Sequence, residues 1–211
     1  MRQPTEQFWG KPSWPLIRYT TVLAIANSVW FGLVYGGADI LTHHRTLRVR
    51  VDFSWEQHIP LVPAASLIYM SIYLLFVAAP FVLRRREEIR ALVLTLMTVT
   101  GIAGICFLLL PAESAYPPPQ NLRAWAGLFS FADWLNLRYN MLPSLHVALS
   151  VVCIACFAAR APAAGKMLLW LWAAALCAST LLTHQHHVLD VVTGFGLALA
   201  GYRFVYRRLV S

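Results

Sequence analysis

The sequence predicts an all-α integral membrane protein, a bundle of six transmembrane helices with both termini in the cytoplasm. Of its 211 residues, 59% are hydrophobic and 12% are charged, and the mean hydropathy is +0.60. Soluble domains are about half apolar and a quarter charged, so this composition excludes a soluble globule, a disordered chain and a fibrous repeat. Each crossing takes roughly 20 apolar residues, so six crossings make residues 1–211 a single membrane domain with short connections.

Six apolar stretches account for the predicted spans. The first is too long for the apolar part of a signal peptide and has no small-residue cleavage site, so we interpret it as an uncleaved anchor. The fourth and fifth are short, at about 17 residues, and we expect protein contacts to cover their ends. The stretches cover approximately residues 16–41, 59–83, 89–110, 143–159, 167–182 and 186–206.

The basic residues set the predicted orientation. Twelve of the 17 lysines and arginines lie on one side of the bundle, and such an excess marks the cytoplasmic side. The net charge of +8 is thereby explained by topology, and without a clustered basic face we predict no nucleic-acid partner. The cytoplasmic set is Arg2, Lys11, Arg18, Arg84, Arg85, Arg86, Arg90, Arg160, Lys166, Arg203, Arg207 and Arg208. The outer set is Arg45, Arg48, Arg50, Arg123 and Arg138.

Two outer loops carry their own patterns. Residues 47–56 alternate between apolar and polar side chains, which is typical of a strand with one wet face, or of an extended connector that lies at the lipid surface or pairs with another loop. Between spans three and four, Leu122, Trp125, Phe129, Ala132 and Leu135 recur at spacings of three and four. This spacing predicts a short interfacial helix with its apolar face towards the membrane.

The first polar motif, Pro143-Ser144-Leu145-His146, lies at the start of the fourth stretch. Pro143 suits the first turn of a helix, and Ser144 suits a helix cap or a bond to a ligand. His146 would then lie beside free backbone N–H groups at the positive end of a helix dipole. Such a helix start is an anion site, and phosphate is its usual ligand.

The second motif lies at the start of the sixth stretch, where His186 and Asp190 are four residues apart. On a helix, this spacing places both side chains on one face. A carboxylate that accepts the proton of one imidazole nitrogen leaves the other nitrogen as an activated nucleophile or base. An aspartate near the membrane boundary is costly unless it is paired, which favours a functional role.

Together, Pro143-Ser144-x-His146 and His186-x-x-x-Asp190 resemble the motifs of the type 2 phosphatidic acid phosphatase superfamily of membrane lipid phosphatases and phosphotransferases. The resemblance implies a mechanism without metal or cofactor, in which His186 is the nucleophile and forms a phosphohistidine. Asp190 would orient and activate His186, and His146 would protonate the leaving group. Ser144 and the nearby N–H groups would bind the phosphoryl oxygens.

Three phosphate-binding features of the hydrolases in that superfamily are missing. The region 110–117 has no cation where a Lys and an Arg-Pro are expected, Leu145 replaces a glycine, and Thr180 replaces an arginine. The reduced motif set is similar to the inositol phosphorylceramide synthase branch, whose members move a phosphorylated headgroup between lipids. Positive charge for the phosphate then has to come from elsewhere, and the candidates are Arg138, Arg123, His187 and His184.

The leading interpretation is an enzyme that cleaves or transfers the phosphoryl group of a phospholipid or a polyprenyl phosphate. It would be a multi-pass protein of the cell (inner) membrane, with its active site facing the periplasm or extracytoplasmic side. Two other function classes stay open. One is a metal carrier, with imidazoles for zinc or copper from His146, His184, His186 and His187. The other is an inactive family member that binds a phospholipid without turnover.

Overall fold

The fold of the chain is helical, and no strand occurs in the part that the computed structural model describes, residues 8–211. Helix accounts for 73% of these described residues. Arg2, one of the predicted cytoplasmic cations, lies outside the described residues. The α-helices in this range are α1 Trp14–Phe31, α2 Gly37–His43, α3 Ser66–Met70, α4 Ile72–Val82, α5 Arg86–Leu109, α6 Ala126–Leu135, α7 Leu145–Ala158, α8 Ala163–Leu182, α9 Val188–Gly201 and α10 Arg207–Val210.

Five helical stretches between residues 8 and 211 are long enough and apolar enough to cross a membrane, and α7 is a sixth, shorter apolar helix. Helices α1 and α2 form one stretch through the π-helical turn Gly32–Gly36. Helix α8 is a full span of 20 residues, longer than the sequence predicts, because the helix begins directly after Pro162. The six helical regions match the six predicted apolar stretches.

Helix α7 lies at the centre of the bundle. Every residue of this helix except His146 is buried, and it packs against α9, α8, α5 and α4. Helix α1 is the opposite case, since only 6% of its most apolar window is buried inside the protein. Because other helices surround α7, its 14 residues do not have to span the lipid alone.

A close contact between helices joins the start of α7 to the first two turns of α9. The backbone N–H of Ser144, just before α7, donates a hydrogen bond of 3.0 Å to the backbone carbonyl of Asp190 in α9. A Cβ atom on Gly194 would lie only 2.5 Å from the Ser144 carbonyl oxygen. The absence of a side chain at Gly194 therefore permits the contact.

The two long loops contain the predicted helix and, for the alternating segment, one of the two expected forms. The helix expected in the second loop is present as α6, preceded by a 3₁₀ turn at Arg123–Trp125, and Phe129 and Ala132 on its inner face are buried. The alternating segment 47–56 forms no strand, because within the described chain no second strand lies beside it. Residues 47–53 are an extended connector that pairs with the other loop at one point, where the Val49 N–H donates to the Pro111 carbonyl at 2.9 Å. The last three residues belong to the 3₁₀ helix Ser54–His58.

We expect Gly194→Ala to destabilise the protein by about 1–3 kcal/mol, because the added methyl group overlaps the Ser144 carbonyl and forces α7 and α9 apart. Gly196→Ala, on the same helix, is the matched control, since a Cβ atom at position 196 would meet no other atom within 4 Å. Alanine is the better helix former, so the control should not lower the unfolding temperature. Thermal unfolding of both purified variants in detergent measures the difference, and equal unfolding temperatures would contradict the close contact.

Candidate active site

Ser144 caps helix α7 and so fixes the position of His146. The Ser144 Oγ accepts a hydrogen bond of 3.3 Å from the Val147 N–H, and His146 is the second residue of the helix. Pro143 therefore precedes the cap, and the expectation that it lies in the first turn is wrong. The N–H groups of Leu145 and His146 have no acceptor within residues 8–211, as is usual for a first helical turn.

His186 lies just before helix α9, and not on it as the spacing predicted. The N–H groups of Gln185 and His186 donate to the Thr180 carbonyl at 3.0 and 3.2 Å, which closes a tight turn after α8. His187 is then the N-cap of α9. The expected proximity to Asp190 is still present, because the His186 Nδ1 lies 3.4 Å from the Asp190 Oδ2.

Asp190 is fully buried and holds the start of its own helix. Its Oδ2 accepts a hydrogen bond of 2.8 Å from the His187 N–H, which is otherwise an unsatisfied donor of the first turn. The negative carboxylate also lies at the positive end of the helix dipole, where it is stabilised. These two interactions stabilise the ionised carboxylate of Asp190 in its buried position beside His186.

His146 and His186 line one cavity of about 390 Å³. At the end that holds the two histidines, the wall is polar and includes Tyr69, Asn136 and Asn140. The rest of the wall is largely apolar and is formed by α1, α4 and α5. Along α1 and the π-helical turn that follows it, the lining residues run from Thr20 to Tyr35, roughly 22 Å at the rise of an α-helix.

The polar end of this cavity collects unsatisfied polar atoms. Within the described chain, four buried atoms without a hydrogen-bond partner lie at this end or on Asp190 beside it: His146 Nε2, His186 Nδ1, Asn140 Oδ1 and Asp190 Oδ1. Two more, Thr20 Oγ1 and Asn27 Oδ1, line the cavity along α1. A buried polar atom without a partner costs about 1–3 kcal/mol, and such atoms are rare in folded proteins. The four atoms beside the two histidines indicate a site that binds a polar ligand.

His187 has both ring nitrogens occupied by protein partners. Its Nδ1 lies 2.7 Å from the Glu56 Oε2, and its Nε2 accepts a hydrogen bond of 3.1 Å from the Ala115 N–H. Because Nε2 accepts, the proton is on Nδ1 and is donated to the carboxylate. His187 is fully buried and does not line the cavity. It connects both outer loops to the start of α9.

Glu56 is a residue of this region that the sequence reasoning missed. It is fully buried, and besides His187 it accepts hydrogen bonds from the Val188 N–H at 3.3 Å and from the Phe53 N–H at 3.2 Å. The sequence does carry a sign of this role. Glu56 is an acidic residue shortly before an apolar span, and a carboxylate in that position requires a partner.

The predicted arginines lie away from the two histidines. Arg138 lines a second cavity of about 420 Å³, where its Nε lies 3.2 Å from the Glu113 Oε2. Arg123 is exposed in the 3₁₀ turn and lines neither of these cavities. Within residues 8–211, no lysine or arginine lines the cavity of His146 and His186.

His184 also lines the second cavity. Its Nε2 lies 2.9 Å from the Ile59 carbonyl, and its ring is stacked on Tyr116 with the ring centres 4.0 Å apart. Burial lowers the pKa of His184, so its imidazole is neutral at pH 7 and supplies no positive charge. The metal-carrier alternative also lacks a geometry, since no three His, Cys, Asp or Glu side chains of the described chain form a group that could hold a metal ion.

A comparison with protein families identifies one match. The family model of the PAP2 superfamily, the type 2 phosphatidic acid phosphatases, matches residues 39–204, a range that includes both polar motifs. The resemblance seen in the motifs is confirmed at the level of the superfamily. No curated protein and no solved structure matches the sequence.

We expect Glu56→Gln to lower the stability of the protein by about 1–3 kcal/mol, because the introduced amide N–H₂ group would face N–H donors in a buried site. Glu113→Gln is the control, since its carboxylate is 41% exposed and its pairing with Arg138 contributes less than about 1 kcal/mol. The unfolding temperatures of the two variants in detergent check the expectation. A larger effect of Glu113→Gln would show that Glu56 does not have the structural role assigned to it.

Proposed function

The chain belongs to the PAP2 superfamily, whose members are phosphatases or phosphotransferases, and we propose that it cleaves or transfers the phosphoryl group of a lipid-linked phosphate. The observation that carries this proposal is that His146 and His186 share the polar end of a long apolar cavity, with Asp190 beside His186. A phosphohistidine mechanism requires a nucleophile, an acid and a carboxylate that orients the nucleophile. His186, His146 and Asp190 are the candidates for these roles, in that order.

His186 is the proposed nucleophile. With its proton on Nδ1, 3.4 Å from the Asp190 carboxylate, its Nε2 keeps a free electron pair, and this nitrogen has no partner within residues 8–211. The Nε2–P bond forms as the P–O bond to the lipid alcohol breaks. His146 donates its proton from Nε2 to the leaving oxygen. In the second step, water or an acceptor alcohol returns a proton to His146 as its oxygen attacks phosphorus and the P–Nε2 bond breaks.

Backbone groups replace the missing cations in this proposal. The free N–H groups of Leu145 and His146 lie at the start of α7, where the helix dipole amounts to roughly half a positive charge. They are better candidates for the phosphoryl oxygens than the Ser144 hydroxyl, which is already used as the helix cap. Ser144 therefore contributes by positioning these donors.

The apolar part of the cavity supports a substrate with a hydrocarbon tail. Together with its polar end, the cavity is lined along the first helical stretch over roughly 22 Å, which exceeds half the thickness of the hydrocarbon core, about 15 Å. A phospholipid and a polyprenyl phosphate both combine such a tail with a phosphate. We place the site at the extracytoplasmic face of the cell membrane and both termini in the cytoplasm, in agreement with the basic residues.

Transfer to a second lipid is the alternative that a specific observation favours. The second cavity shares Asn136 with the first and is lined by polar groups, among them Asp133 and Glu113, which suit an acceptor that carries hydroxyl groups. Transfer also agrees with the reduced motif set, which is similar to the inositol phosphorylceramide synthase branch. Hydrolysis and transfer share the phosphohistidine intermediate. They differ in whether water or an acceptor alcohol then takes the phosphoryl group from the histidine.

We expect His186→Ala to lower turnover by at least about 1,000-fold, because the variant has no nucleophile at the cavity. The test uses purified protein with phosphatidic acid, phosphatidylglycerol phosphate, undecaprenyl pyrophosphate and phosphatidylinositol, and mass spectrometry of free phosphate and of new phospholipid. His44→Ala is the matched control at an exposed outer histidine and should keep full activity. A chelator should leave the wild-type rate unchanged. Full activity of His186→Ala would contradict the mechanism.

A further inference from the structure

Asn136, the residue that ends helix α6, connects two elements of the candidate site. Its Oδ1 accepts a hydrogen bond of 2.9 Å from the Tyr69 hydroxyl in α3. Its Nδ2 donates a hydrogen bond to the Gln185 Oε1, in the turn between α8 and α9. The side chain of Asn136 also lines both cavities.

Each of these two partners leads directly to one of the two histidines. The Tyr69 ring is stacked on the His146 ring, with the ring centres 3.7 Å apart and the planes within 13° of parallel. Gln185 immediately precedes His186 in the chain. The Gln185 amide is held from the other side as well, because its Nε2 donates to the Asp133 Oδ1 at 3.2 Å.

The backbone contact between Ser144 and Asp190 sets the relative position of the two helix starts, but no direct bond sets the relative position of the two imidazole rings. His146 is on α7 and His186 is in the turn before α9, and the described chain contains no hydrogen bond between them. The His146 Nε2 and the His186 Nδ1 both lack hydrogen-bond partners. A catalytic pair of this kind requires fixed geometry, because a misplacement of about 1 Å can cost roughly 100-fold in rate.

We propose that Asn136 is a positioning residue that holds His146 in alignment with His186, through Tyr69 on one side and Gln185 on the other. This inference rests on the proposed function, in which His186 attacks phosphorus and His146 protonates the leaving oxygen. If Asn136 acts through His146, its loss slows the first step only with donors whose leaving group needs that proton, because backbone bonds to the Thr180 carbonyl keep His186 in its turn. If Asn136 only stabilises the fold, its loss harms every substrate equally.

The experiment compares two donors of the same phosphoryl group, dioleoyl phosphatidic acid and 4-nitrophenyl phosphate, in one preparation of each variant. An alkoxide leaving group needs a proton, whereas 4-nitrophenolate leaves without one. The second step uses His146 with both donors, so the rate compared is the release of the leaving group in a single turnover with enzyme in excess, which reports the first step alone. In that measurement we expect Asn136→Leu to be about 100-fold slower than wild type on phosphatidic acid and within about threefold of wild type on 4-nitrophenyl phosphate. The ratio of the two rates does not depend on the fraction of protein that is folded.

Further variants separate the contribution of Asn136 from those of His146 and Tyr69. His146→Ala should show the same leaving-group dependence, and adding Asn136→Leu to it should cause no further loss on phosphatidic acid. Tyr69→Phe keeps the stacked ring and loses the hydroxyl, so its effect should be smaller than that of Asn136→Leu. Gln120→Leu removes an exposed amide from the same loop and should leave both rates unchanged.

Equal losses of Asn136→Leu on both donors, or no loss on phosphatidic acid, would overturn the inference. Failure of the proposed function has a different signature. It would appear as unchanged activity of His186→Ala, or as equal losses of the single-turnover rate of His146→Ala on both donors. Each of these results would overturn the inference together with the proposed function.

Discussion

The close contact between the first turns of α7 and α9 determines where the candidate catalytic groups lie. The Ser144 N–H is bound to the Asp190 carbonyl, and Gly194 leaves room for the Ser144 backbone. This contact brings His146, in the first turn of α7, to the side of the bundle where Asp190 and His186 lie. Two motifs about forty residues apart in sequence thus become one site, at the end of an apolar cavity.

The two buried carboxylates near the site, Asp190 and Glu56, lie in surroundings of low dielectric constant, and this explains where they are placed. An ionised carboxylate is tolerated there only with hydrogen-bond donors or an opposite charge nearby. Asp190 obtains a donor from the His187 N–H, and Glu56 obtains donors from the His187 ring and the Val188 N–H. Both carboxylates therefore lie at the start of α9, where the helix dipole also favours negative charge. The start of α7 keeps free N–H groups and offers the corresponding place to a phosphate.

Much of the fold follows from local patterns in the sequence. Apolar stretches marked the six helical regions, and the spacing of Leu122, Phe129 and Leu135 marked α6. The motif at Ser144 and His146 indicated a capped helix start, which the hydrogen bond to Val147 bears out. These features depend on residues within one or two helical turns of each other. Because the interactions that form them are local, they can be predicted from the sequence.

The contacts that complete the site join residues far apart in sequence. Glu56 and His187 are 131 positions apart, and Tyr69 and Asn136 are 67 positions apart. No short pattern records such a partner, because the hydrogen bond exists only after the helices have packed. For the same reason His186 and His187 look equivalent in sequence, although one lines the cavity and the other binds Glu56. The alternation in 47–56 left a strand and an extended connector open for a related reason, since a strand needs a neighbour that the sequence cannot specify.

The central claim is that His186 carries the phosphoryl group during turnover, and chemical mapping of the phosphorylated enzyme tests it most directly. Wild-type protein is mixed with phosphatidic acid labelled in its phosphate, quenched in alkali, where phosphohistidine survives, and digested for mass spectrometry. The account predicts a phosphoryl group on His186 that disappears on exposure to acid and increases when His146 is replaced in the presence of a donor with a good leaving group. Phosphate on another residue, or turnover with no phosphorylated residue on the enzyme, would contradict it.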